Sequence, residues 1–169
     1  MEFQEILDLV DENDAIIGSA PREACHRDPS KIHRAVHVIV FNKNGNLLLQ
    51  KRARTKQIQP GKWDSSVGGH LERGESYESA AEREMLEEIG VISGGNLRLL
   101  FSGKIRNRIE SENTKVFSLV HNGPFTLHPE EIEELRFWTL DEIEASVGTG
   151  IFTPNLEFEL QELKKIGIL

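Results

Sequence analysis

Three glutamates, Glu84, Glu87 and Glu88, stand at i, i+3 and i+4 within GHLERGESYESAAEREMLEEIGV, residues 69–91. Helical spacing puts them on one face, where three like charges repel one another and destabilise a bare helix. A divalent cation turns that repulsion into binding, because Mg²⁺ favours hard carboxylate oxygens. Arg83 lies four residues before Glu87 and is spaced to orient it. Gly69 ends the preceding loop, within reach of the same ion through its backbone carbonyl. The plainer reading of such a run is a solvated, Glu-rich helix.

The elements that must position this face can be read around it. A helix is expected over 76–89, with Ser76 as N-cap and Gly90 as its stop. Ala80, Ala81 and Met85 form its inward side. Strands are expected at 6–10, 15–20, 35–41, 46–50, 63–67, 97–104, 115–121 and 135–139. Asn-Lys-Asn-Gly at 42–45 reads as a hairpin turn. Residues 21–33 read as a loop, 51–62 as a basic loop, and LDEIEAS from Leu140 begins a helix. A last helix covers 153–165, with Pro154 suited to its first turn. The mixture is that of an α/β domain with helices over a mixed sheet.

Length and charge bound the function. The chain has 169 residues, enough for one domain without a disulfide or structural metal. Its 20 Lys+Arg against 28 Asp+Glu give a net charge of −8, which argues against nucleic acid as a partner. The single cysteine, Cys25, favours a reducing compartment. The acidic start, MEFQEILDLVDEND, is unlike a signal peptide, and no apolar run reaches membrane-span length. A cytoplasmic protein with no membrane partner is expected.

Residues 69–91 match the Nudix box at every defined position, including the apolar Met85 and Val91. The chain is therefore identified as a member of the Nudix hydrolase superfamily. That resemblance implies an α/β/α sandwich with a mixed sheet, one Nudix domain over 1–169, and hydrolysis of a small-molecule diphosphate. It implies Mg²⁺ (or Mn²⁺) held by Glu84, Glu87, Glu88 and the Gly69 carbonyl. Arg83 would orient Glu87, and Glu75 would support the loop. Homodimers are frequent in the family and are an expectation here too.

Outside the box, VDENDAIIGSAPR, HRAVHVIVFNKNGNLLLQKRARTK, PGKWDSSVGGH and ESENTKVF resemble the branch that contains type I isopentenyl-diphosphate isomerase. The resemblance implies a further metal position at His26, His33, His70, Glu110 and Glu112, with Glu112 also in a catalytic role. It implies diphosphate binding by Arg52 and Lys56, with Arg22 as a third candidate. The pattern breaks at Gly68, where the isomerases carry a catalytic Cys; glycine can neither donate nor accept a proton. Together with the complete box, this favours a hydrolase acting on a nucleotide, nucleotide-sugar or isoprenoid diphosphate. Isomerisation of isopentenyl diphosphate is the alternative. Trp63 and Trp138 are expected in the core, and the acidic run Glu130, Glu131, Glu133, Glu134 in solvent.

Overall fold

The computed structural model describes residues 4–169; the first three, part of the acidic start weighed above against a signal peptide, lie outside the described residues. In chain order the elements are β1 (Ile6–Val10), β2 (Ile16–Pro21), α1 (Arg22–Arg27), β3 (Ile32–Phe41), β4 (Leu47–Arg52), β5 (Trp63–Asp64), β6 (Val67–His70), α2 (Tyr77–Ile89), β7 (Arg98–Arg106), β8 (Ser111–Val120), β9 (Ile132–Trp138), α3 (Leu140–Ser146) and α4 (Pro154–Lys165).

The long apolar strand β3 is the hub of one mixed sheet. Along one edge it pairs in parallel with β8 from Ile32↔Ser111 to Phe41↔Val120, and β7 runs antiparallel beside β8. Its other edge is shared by three strands in turn: β1 at His33, β6 from Ala35 to Val38, and β4 at Val40 and Phe41. β4 therefore leaves β3 almost at once and pairs with β5 and β9 instead. The sheet forks there. Ser66 sits in the fork: its hydroxyl accepts from Val40 N–H at 2.8 Å and donates to the Leu48 carbonyl. One side chain thus bridges the two strands at the pair where their ladder ends.

Alternation along β3 fills both faces. Val36, Val38 and Val40 pack with Ala80, Ala81, Met85 and Ile89 of α2. Ile39, with Leu47 and Leu49 of β4, packs under Ile143 of α3 and Leu156, Leu160 and Leu163 of α4. This is the expected helix–sheet–helix sandwich. Ser76 caps α2 by accepting from Ser79 N–H at 3.1 Å, and Gly90 ends it at φ 71°, a conformation that favours glycine. Among the described residues no helix is long and apolar enough to cross a membrane.

Two elements differ from the sequence reading. Residues 21–33 are not all loop: Arg22–Arg27 is a short helix, supported by a Glu23–Arg27 pair at 2.6 Å. Its Cys25 is buried against Leu7 and Ala20. The expected strand at 63–67 is two strands, because Trp63–Asp64 pairs with β4 while Val67–His70 pairs with β3. The break at Ser65–Ser66 is the fork itself.

Candidate active site

The fork opens into a cavity of about 500 Å³, lined from both branches of the sheet and from α2. The three α2 glutamates, Arg83, the three expected phosphate contacts, His26, His70, Glu110 and Glu112 all line it, whereas His33 is buried behind its wall and Glu75 stands outside the lining. On α2, the Glu84 and Glu88 side chains are largely buried, whereas that of Glu87 is 55% exposed. Glu88 accepts from Gln50 Nε2 at 3.0 Å and from Gly68 N–H at 3.3 Å. Burial pushes its carboxyl up to about 8, with the Glu84 charge adding to the rise. Burial likewise raises Glu84, to about 7, against the pull of Arg83. These are carboxyls short of positive charge. A Cβ built on Gly69 would overlap the Glu84 carboxyl group, so only glycine brings the backbone this close. Hard oxygens crowded at one point, two of them under-neutralised, fit a Mg²⁺-type ion.

Arg83 reaches Glu87 as expected, but holds other partners more closely. It donates to Glu75 at 2.9 and 3.0 Å, to Glu84 at 2.7 Å and to the His70 carbonyl at 3.0 Å, but meets Glu87 only at 3.4 Å. It ties the loop to Glu84 more closely than it orients Glu87. Its fork geometry reaches both Glu75 oxygens at once, which a lysine could not do.

A second group converges on the same cavity from four elements. His26 comes from α1, His33 from β3, His70 from β6, and Glu110 and Glu112 from the start of β8 and the turn before it. One ligand atom each from His26, His33, His70 and Glu110 fall within 4.8 Å of one another. Glu112 Oε1 lies 3.0 Å from His70 Nε2 and 3.4 Å from His33 Nε2. Register explains the meeting: His33 pairs with Glu112 across β3–β8, and His70 pairs with Ala35 two residues along β3. The Nε2 atoms of His26 and His33 are buried without a hydrogen-bond partner. Burial, then the neighbouring His70, Arg22 and His33, bring His26 down to about 4. Burial also lowers His70, against Glu112. Burial opposes the ionised form of Glu112, but the imidazoles outweigh it and hold the carboxyl well below its usual range. Burial, then the Glu112 charge, pushes Glu110 up to about 7. Imidazoles with open nitrogens beside carboxylates fit a divalent cation.

The three expected phosphate contacts line the cavity, each with a protein partner already. Arg22 pairs with Glu5 at 3.1 Å, Lys56 with Glu131, and Arg52 donates to the Ile58 carbonyl at 3.0 Å with Asp64 3.6 Å away. Arg54 is 78% exposed and lies outside the lining. The acidic run is corrected at one position: Glu131 faces the cavity, while Glu130, Glu133 and Glu134 are exposed. Trp138 is buried as expected, with half-buried Trp63 edge-on to it at 5.1 Å between ring centroids.

Two buried residues were missed. His37 of β3 is paired through Nδ1 with Glu159 of α4, and its ring borders the cavity at Gly68. The signal was there. Each is an ionisable residue on an otherwise apolar pattern: AVHVIVF for His37, and Leu156, Leu160 and Leu163 around Glu159.

Comparisons with known proteins agree with this architecture. The NUDIX domain family matches residues 31–156. An uncharacterized Nudix hydrolase of Listeria monocytogenes is 34% identical, over 87% of this chain and 87% of that protein. An isopentenyl-diphosphate Delta-isomerase of Streptomyces avermitilis is 36% identical, over 82% of this chain and 73% of the isomerase. The crystal structure of DR0079 from Deinococcus radiodurans superposes with a TM-score of 0.79 at 27% identity, covering 93% of this chain and 98% of that one. With its fold, its box-bearing helix and these relatives, the chain belongs to the Nudix hydrolase family.

Proposed function

We propose that this enzyme, folded as one domain over residues 1–169, hydrolyses a diphosphate linkage in a nucleotide, nucleotide-sugar or isoprenoid diphosphate. The observation that carries the reading is the crowding of Glu84 and Glu88 against Gly69 and Gly68, which leaves two buried carboxyls short of positive charge. Glu84, Glu87, Glu88 and the Gly69 carbonyl would hold Mg²⁺ or Mn²⁺; His26, His33, His70, Glu110 and Glu112 would hold a second divalent cation. Such ions neutralise charge on phosphate oxygens and lower the pKa of bound water.

The chain's own residues do the rest. Arg52, Lys56 and Arg22 exchange their present partners for diphosphate oxygens, Arg as a fork and Lys as a point charge. Arg83 keeps Glu84 and the 70–75 loop in place. The attacking water gives its oxygen to phosphorus as the bridging P–O bond breaks, and we assign Glu87 and Glu112 to holding that water and its proton.

The convergence of three imidazoles with Glu110 and Glu112 favours one second reading, isomerisation of isopentenyl diphosphate. Gly68 opposes it, since no thiol stands beside the cavity there. Gly68 has no positive φ, so its backbone conformation would accept a side chain. At Gly68 the obstacle is the His37 ring, 3.1 Å from a built Cβ. The test is a Mg²⁺-dependent screen of the three substrate classes, with products identified by mass. Cleavage at the diphosphate is expected, giving two phosphomonoesters from a nucleotide sugar and a phosphomonoester with free phosphate or diphosphate from the others. Dimethylallyl diphosphate formed from isopentenyl diphosphate without phosphate release would overturn the proposal in favour of the isomerase.

A further inference from the structure

His37 lies in the middle of the apolar strand β3, on the face that carries Ala35 and Ile39 toward α4. It is 8% exposed, and its partner Glu159 is 1% exposed. A buried ion pair is a poor source of stability compared with two apolar side chains of similar volume. This one is also incompletely satisfied. Glu159 Oε2 is buried without a partner, and His37 Nε2 has no hydrogen-bond partner among the described residues. Glu159 fixes the ring through Nδ1, which leaves the Nε2–Cδ2 edge facing β6. There the facing residue is Gly68, and a Cβ on it would stand 3.1 Å from Cδ2 and 3.4 Å from Nε2. The missing side chain therefore leaves this edge of the imidazole open to the cavity.

We propose that His37, oriented by Glu159, is a substrate-binding residue whose Nε2–H donates to an anionic phosphate oxygen of the diphosphate. Burial disfavours the charged imidazole, but the charge and hydrogen bond of Glu159 outweigh it, with Asp64 and Glu112 adding to the same effect. With Nδ1–H donating to Glu159, the charged ring has its second N–H to offer. A charge-assisted donor in a shielded pocket is the kind that binds phosphate strongly. Arg22, Arg52 and Lys56 line the same cavity, so the anion would meet cations from several elements. The open Nε2 then has a partner whenever substrate is bound.

This inference rests on the diphosphate reading, and the experiment separates the two. The probe is methylenediphosphonate, a diphosphate that water cannot cleave, titrated into Mg²⁺-loaded protein by calorimetry. His37→Phe keeps a ring and removes both nitrogens; it is expected to weaken binding at least tenfold while Mg²⁺ affinity stays unchanged. Glu159→Gln keeps an acceptor for Nδ1–H and is expected to weaken binding less. In wild-type protein the His37 ring ¹⁵N resonances are expected to shift on saturation with the probe, a readout that needs no variant. Probe affinity of a folded His37→Phe within twofold of wild type would overturn the proposal and leave the diphosphate reading standing. Unmoved His37 resonances in saturated wild type would do the same. Wild-type protein that does not bind the probe at all would overturn both.

Discussion

The carboxylates of α2 and the histidine cluster face one cavity from differently built walls. The first set is local: Glu84, Glu87 and Glu88 come from one turn of one helix, and helical spacing alone brings them together. The second is assembled from α1, β3, β6 and β8, so its geometry depends on strand register. Their electrostatics differ in sign. Without cation, Glu84 and Glu88 rise to about 7 and about 8, while His26 falls to about 4. Glu84 and Glu88 of the helix wall resist carrying negative charge, and His26 and His70 of the other wall resist acquiring positive charge. Each state favours a cation, by relief of repulsion in one wall and by ready neutral donors in the other.

The largest test of this contrast removes charge from the helix wall. Glu87→Gln and Glu88→Gln are each expected to lower turnover by about 10²–10³-fold, the scale on which a lost charge-stabilising group is felt in catalysis. The fold should persist, as circular dichroism would check. Full hydrolysis by wild type in excess chelator would break the metal reading of this wall.

The next test separates the walls. His33→Asn is expected to weaken one class of Mn²⁺ sites by at least about tenfold, while the α2 class is retained. Calorimetric titration counts both. On acidification the α2 class should weaken first, because Glu88 and Glu84 take up protons at about 8 and about 7, whereas His26 stays neutral down to about 4.

The smallest effect is on stability and has opposite slopes in the two walls. Glu88 has a folded pKa of about 8 against an ordinary 4.5, so its favourable contribution is complete below pH 4.5 and is lost as pH rises through 8. His26 has a folded pKa of about 4 against 6.5, so its contribution is present above pH 6.5 and is lost as pH falls through 4. For metal-free protein, Glu88→Gln should therefore stabilise at pH 8.5 by about 1–3 kcal/mol, or roughly 3–10 °C in Tm. It should do little at pH 4.5. A melting series in chelator at the two pH values measures it.

The local wall was legible in the sequence because its chemistry follows from spacing. α2 runs from Tyr77 to Ile89 with Ser76 and Gly90 as its caps, as the sequence reading expected. The dispersed wall became legible only through resemblance. Nothing in the residues between His33 and His70 says that β6 lies beside β3, because that register is a tertiary fact. The helix carrying His26 was missed for a related reason. At six residues, α1 has too few turns for periodicity to reveal it, and it is held by burial of Cys25. Glu131 was missed because an acidic run looks alike throughout until Lys56 selects one member of it. His37 and Glu159 were visible as charges on apolar patterns, but their partnership spans 122 positions of chain.

Ser66 has a consequence for how such an enzyme can change. Its hydroxyl works as an axle at the root of the fork, adding one donor and one acceptor where the β3–β4 ladder ends. The 53–62 loop on one branch and the turn at 107–110 on the other line the rim of the cleft, away from Ser66. The occupant of the cleft can thus be exchanged from the rim, while the α2 carboxylates beside the axle stay in register with Gly68 and Gly69.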